Sequence, residues 1–117
     1  MTTLNLSKTE FQTQGLLEVV NNEWKVLSLE NGRSVYTQLE YEVGRKYIKV
    51  WSYLKDGNFG DARIKGRSCF MFIDKETGAC YKPASHKAPA KGIRFWIDQL
   101  VMYPEMVDPY GSFLYVR

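Results

Sequence analysis

The chain has 117 residues, of which 44% are apolar and 25% charged, and it carries a net charge of +3. That length holds one core with no room for a second, and that balance excludes an intrinsically disordered chain. No run of 18 apolar residues occurs, so no membrane-spanning helix is expected.

The charge is unevenly spread. Residues 1–44 hold three basic and six acidic side chains, a balance of −3; residues 45–94 hold twelve and four, a balance of +8; residues 95–117 hold one and three, a balance of −2. The acidic ends either leave the basic middle free or fold back and neutralise it, and the sequence leaves both open. The opening stretch from Met1 to Lys8 lacks a basic segment followed by an apolar one, so no secretory signal is expected and the cytoplasm is the expected location. Two cysteines, Cys69 and Cys80, form no CxxC pair, and a single histidine, His86, leaves a zinc site short of ligands. Neither metal nor cofactor is expected.

In chain order, Ser7 and Glu10 have the spacing of a capping box, in which each side chain satisfies a free backbone N–H of the first helical turn. Phe11, Leu16, Leu17 and Val20 give the helix an apolar stripe, and Asn21-Asn22 would end it. Gly15 costs such a helix about 1 kcal/mol relative to Ala, so a strand over residues 16–20 is the alternative. Residues 24–29 alternate as a short strand, closed by a turn at Glu30-Asn31-Gly32.

The clearest pattern spans residues 35–54. Gly44-Arg45 suits a two-residue type II′ turn, which sets Tyr41 opposite Ile48, Leu39 opposite Val50 and Val35 opposite Leu54 on an apolar face. The other face pairs Glu42 with Tyr47, Glu40 with Lys49, Gln38 with Trp51 and Tyr36 with Tyr53. Residues 55–66 form a loop, long for a hairpin connection. A second hairpin joins residues 67–74 to 79–84 through Lys75-Glu76-Thr77-Gly78, with Phe72 facing Tyr81 and Ile73 facing Cys80. Cys69 and Cys80 then share a face but lie too far apart for a disulfide, and are expected as free, buried thiols.

Residues 83–92 are irregular, with room for one helical turn. Residues 93–102 are apolar enough for strand or helix. Asp108-Pro109-Tyr110-Gly111 matches a type I turn at each position, and residues 112–116 would be a final strand. The expected fold is therefore α+β: one domain over residues 1–117, its N-terminal helix packed on an antiparallel sheet of about four to six strands built from β-hairpins.

Nothing in the sequence assembles a catalytic site. His86 lies beside Ser85 with no partner to orient it, Glu40 and Glu42 sit on an exposed strand face beside Lys49, and Asp56 and Asp61 match no metal-binding loop. No phosphate-binding loop, dinucleotide fingerprint or nucleophile elbow occurs. A non-enzymatic protein is expected.

Binding has more support. The polar face of the first hairpin gathers Tyr36, Tyr47, Trp51 and Tyr53 with Lys49 and nearby Arg45. Stacking aromatics beside cations are what single-stranded nucleic acid requires, each stacked base being worth about 1–3 kcal/mol. The alternative is that another element covers these aromatics as a second core. A further basic run holds Lys82, Lys87, Lys91 and Arg94 with no acid across thirteen residues, and Arg63, Lys65 and Arg67 lie just before the second hairpin. A phosphate-rich partner fits this pattern, and a solvated basic loop is the plain alternative.

The segment from Phe72 through Arg94 resembles small uncharacterised proteins of tailed phages, marine ones especially. Their pattern is F-x-D-x-x-T-G-x-x-Y-K-P-A-S followed by K-A-P-A-K-G. The Asp-Lys-x-Thr-Gly part is a good hairpin turn, while Lys-Pro-Ala-Ser and Lys-Ala-Pro-Ala-Lys-Gly are more distinctive. The resemblance covers about a fifth of the chain and implies a phage-like origin, hence the host cytoplasm, without a mechanism. The expected function is a non-enzymatic binding module. Single-stranded nucleic acid leads as partner, a host protein bound through the same surface is the main alternative, and a small anion held in a pocket under residues 82–94 is the third.

Overall fold

The computed structural model describes residues 7–64 and 66–115. Helix α1 (Lys8–Glu30) starts where Ser7 Oγ accepts from the Glu10 amide at 3.1 Å. Only that half of the capping box forms, because the Glu10 carboxylate accepts instead from the Tyr41 hydroxyl at 3.2 Å. The helix does not stop at Asn21-Asn22, and the strand expected over residues 24–29 is helical. Trp24 extends the buried stripe of Thr9, Thr13, Leu16, Leu17 and Val20 at helical spacing, so burial carries the helix past the two asparagines. Phe11 is not in that stripe: it is 65% exposed, and Thr13, whose hydroxyl donates to Thr9 C=O at 2.8 Å, takes its place in the core. The turn expected at residues 30–32 is the helix C-cap. Arg33 N–H bonds Ser28 C=O and Gly32 N–H bonds Leu29 C=O, with Gly32 at φ +74°, which is a Schellman motif.

The sheet has six strands: β1 (Val35–Val43), β2 (Tyr47–Asp56), β3 (Ala62–Arg63), β4 (Ser68–Asp74), β5 (Ala79–Tyr81) and β6 (Phe95–Trp96). All pairings are antiparallel, the order is β1-β2-β4-β5-β6, and β3 pairs with β2. The first hairpin forms with a register two residues from the expected one: Tyr41 faces Val50 and Glu40 faces Trp51. Because side chains alternate with period two, a two-residue shift leaves every side chain on its expected face. The turn's centre is Arg45-Lys46, and Gly44 pairs with Tyr47 through a 2.8 Å bond from its N–H. Its backbone is not left-handed; a Cβ at Gly44 would lie 3.1 Å from the Tyr47 carbonyl oxygen, so close approach is what calls for glycine there.

The expected loop over residues 55–66 is partly sheet. Strand β2 runs to Asp56, a 3-10 turn covers Gly57–Phe59, and β3 follows. The second hairpin has the expected register, Phe72 opposite Tyr81 and Ile73 opposite Cys80. A bulge where β4 meets Val50 and Trp51 sends Phe70 and Met71 both into the core and sets Cys69 opposite Trp51. The two cysteines are free, but Cys80 is in the core while half-buried Cys69 lies on the opposite face. Residues 93–102 hold both expected forms in turn, β6 and then helix α2 (Ile97–Met102). The expected last strand is a 3-10 turn over Ser112–Tyr115, seeded by Asp108, whose carboxylate accepts from the amides of Ser112 and Phe113.

One face of the sheet (Leu39, Ile48, Val50, Met71, Ile73, Cys80) packs on Leu16, Leu17, Val20 and Trp24 of α1. Ile97, Leu100, Val107, Phe113 and Leu114 close this core from the C-terminal side. Each such fully buried side chain is worth about 1.5–3 kcal/mol. The expected α+β architecture, an N-terminal helix on an antiparallel sheet, is the architecture found. No helix among the described residues is long and apolar enough to cross a membrane.

Candidate functional site

The sheet's second face carries Tyr47, Trp51, Tyr53, Phe72 and Tyr81, since these alternate with the core residues along β2, β4 and β5. It is not an open stacking platform: Trp51 and Tyr53 are each only 8% exposed. The chain's own cations cover them. The Arg63 guanidinium lies 3.9 Å from the Tyr53 ring centre and that of Arg67 lies 4.0 Å from the Trp51 ring centre. Lys49 Nζ sits 5.0 Å from Trp51 and 5.4 Å from Phe72. Beside them Tyr47 meets Phe72 and Tyr81 edge to face.

The two arginines are held in place by the acidic strand β1. Glu40 accepts from Arg63 at 2.9 Å and from Arg67 at 2.8 Å, and Glu42 accepts from Arg67 at 3.1 Å and from Trp51 Nε1 at 2.6 Å. These groups are partly exposed, so each pair contributes about 0–1 kcal/mol, and each cation–ring contact adds about 0.5–1 kcal/mol. At this point the acidic end of the chain neutralises its basic middle, and the aromatic face is a covered second layer. Lys65, also a candidate from the sequence, lies outside the described residues.

Residues 82–94 form an excursion between β5 and β6, with no helical turn. Pro83 bridges to Pro89, the amides of Ala84 and Ser85 donate to Ala88 C=O, and Ala90 N–H donates to Lys82 C=O at 2.8 Å. Its tip reaches the covered face, where Lys49 Nζ donates to the His86 carbonyl. The structure thus brings the excursion and the first hairpin's polar face together, but it spends Lys49, Arg63 and Arg67 on internal contacts. Lys87 and Lys91 are exposed, Lys82 and Arg94 half-buried, and none of the four is in an ion pair among the described residues. Arg94 Nε is buried and has no hydrogen-bond partner among them. Lys82 Nζ rests 4.5 Å from the Tyr115 ring centre.

Sequence reasoning missed a neighbouring cation group. Lys75 donates to Gly44 C=O at 2.8 Å and its amide to Lys46 C=O at 3.0 Å, so Lys75 joins Arg45 and Lys46 at one end of the sheet. Once Gly44-Arg45 and Lys75–Gly78 were read as turns, the antiparallel pairing of β2 with β4 was the signal that would have placed them together.

Among the described residues no group of three or more His, Cys, Asp or Glu is placed to hold a metal ion. The two cavities described lie away from residues 82–94. The larger, about 830 Å³, is an open groove between the C-terminal half of α1, the start of β1 and residues 104–110. The smaller lies where the start of α1 meets Lys75–Thr77 and Asp98.

A family model described as a family of unknown function, DUF7717, matches residues 3–116. The chain belongs to this family. No curated protein and no solved structure matches the chain. The match spans nearly the whole chain, including both the covered aromatic face and the basic excursion, and names no activity for either.

Proposed function

We propose that this DUF7717 protein is a non-enzymatic binding module that takes a polyanion, single-stranded nucleic acid first among them, on the excursion between β5 and β6. The observation that carries this reading is the excursion's charge: Lys82, Lys87, Lys91 and Arg94 stand on one segment, and none has a carboxylate partner among the described residues. Cations gathered on one segment without carboxylates to neutralise them are what phosphate contacts require. All four cations fall within the segment that resembles tailed-phage proteins. Because Trp51 and Tyr53 are covered, affinity on this reading comes from phosphates, with little stacking and little preference among bases.

The test is fluorescence polarisation with labelled single-stranded DNA, single-stranded RNA and duplex DNA at about 50 and 200 mM salt. If all four cations each neutralise a phosphate, affinity for a single strand falls by up to about 50-fold over that range. Replacing Lys82, Lys87, Lys91 and Arg94 together by Glu abolishes binding. Affinity that survives this replacement, or that ignores salt, overturns the reading.

A further inference from the structure

Strand β1 is an edge of the sheet. Leu39 turns its N–H and C=O outward, away from β2, and in an antiparallel ladder every second residue does the same, so Val35, Thr37, Tyr41 and Val43 also point theirs outward. Asn21 of α1 satisfies Leu39. The outward groups of Val35 and Thr37 have no partner among the described residues, and both residues line the groove described above.

The walls of that groove are apolar and wet. Val19 and Leu27 of α1, Leu54 of β2 and Tyr110 are all exposed, Tyr110 to 86%. Covering these side chains with a partner's apolar ones is favourable, by about 25 cal/mol for each Å² removed from water. Its charged lining is acidic: Glu23, Glu105 and Asp108 against a single Arg33. Asp108 is taken up by its own turn, but Glu23 and Glu105 make no ion pair or hydrogen bond among the described residues.

We infer that this groove is a docking site for an extended peptide segment of a partner protein. The segment adds a short strand beside Val35 and Thr37, sets alternate apolar side chains against α1 and Tyr110, and carries Lys or Arg next to Glu23 and Glu105. Main-chain pairing at an exposed edge supplies affinity in such binding, and the side-chain pockets supply selectivity. The acidic lining decides the sign of the partner's charge, which is opposite to that of a partner of the 82–94 excursion. The two surfaces are therefore separable.

The experiment uses two blocked heptapeptides of alternating Val and Thr, one with Lys at both ends and one with Glu, titrated into the full chain. Amide chemical shifts and hydrogen exchange are followed by NMR. The Lys-ended peptide shifts and protects the Val35 and Thr37 amides saturably and binds about tenfold more tightly than the Glu-ended one. Thr37→Pro removes the outward N–H without breaking a β1–β2 hydrogen bond, since an edge strand tolerates proline where its N–H faces out, and it weakens the Lys-ended peptide by tenfold or more. Glu23→Lys with Glu105→Lys reverses the preference between the two peptides and keeps the proposal testable should the proline variant not fold. If neither peptide perturbs Val35 and Thr37, or if the double lysine variant leaves the preference unchanged, the inference is overturned. Nucleic acid binding by the same protein is unaffected either way.

Discussion

Asn21, at the middle of α1, meets the backbone of Leu39 with both ends of its carboxamide: Nδ2 donates to Leu39 C=O at 2.9 Å, and Oδ1 accepts from Leu39 N–H at 2.8 Å. This is the pair of bonds that a neighbouring strand would make. The side chain thus caps the edge of the sheet halfway along β1, a position where an open edge invites another chain to pair.

Asn21→Ala leaves a donor and an acceptor of Leu39 without partners and costs about 1–3 kcal/mol, read by urea denaturation. It also frees a continuous edge from Val35 to Val43, so sedimentation velocity shows self-association that rises with concentration. Asn21→Asp keeps the acceptor and loses the donor, and falls between the two. A fully stable, monomeric Asn21→Ala protein would show that the carboxamide caps nothing.

The cover over Trp51 makes a second prediction. Arg67→Ala removes a guanidinium from the ring and two bonds from Glu40 and Glu42. The three charged groups are partly exposed, so the stability loss stays at about 1 kcal/mol. Access to the ring changes more. In a Trp96→Phe background, which removes the exposed indole, acrylamide quenching of the remaining Trp fluorescence rises on Arg67→Ala. Unchanged quenching would mean that the arginine does not shield the indole.

Gly15 supplies a third. It sits inside α1 with an exposed Cα, and a Cβ there would meet nothing within 4 Å. Gly15→Ala therefore lowers the entropy of the unfolded chain without a clash and raises stability by about 0.4–1 kcal/mol. A thermal melt shows the gain as a higher midpoint; a lower one would indicate that the helix is not formed at residue 15.

Local rules carried the fold where one signal dominated, and missed where a distant partner decided. The two hairpins were legible because period-two alternation and turn residues agree, and the register slip at Gly44 did no harm to the faces. Asn21-Asn22 looks like a helix end by propensity, yet Asn21 is spent on Leu39, eighteen residues away. The bulge at Phe70 has no local mark, so the face of Cys69 came out reversed. The basic face was legible as composition, but its neutralisation was not, because Glu40 meets Arg63 and Arg67 only once β3 and β4 are laid beside β2 and β1. The groove beside Val35 is invisible in the sequence for the same reason: its walls come from three separate stretches of chain.

The last prediction concerns acid. The Asp108 carboxylate accepts from the amides of Tyr110 (2.9 Å), Ser112 (3.1 Å) and Phe113 (3.2 Å) and from the Ser112 hydroxyl (2.6 Å). Partial burial works against its charge, but these donors outweigh it and hold the carboxyl below the ordinary Asp range. In the unfolded chain the group titrates near pH ~3.9. A depressed folded pKa adds stability that is fully present above the unfolded value and is lost as pH falls through the folded one. What it secures is the 3-10 turn that seats Phe113 and Leu114 in the core. Asp108→Asn turns one accepting oxygen into an NH2 that cannot accept and makes the remaining bonds neutral, and so costs about 1 kcal/mol or more at neutral pH. Because the wild-type group is itself neutralised in acid, the gap between the two proteins narrows as pH drops from about 7 to about 3. Asp74, whose carboxylate accepts from the Glu76 and Thr77 amides and is likewise held low against its own burial, keeps a residual acid sensitivity in both proteins. Urea denaturation at the two pH values reads the difference directly, and a gap that stays constant would assign the effect to shape and not to charge.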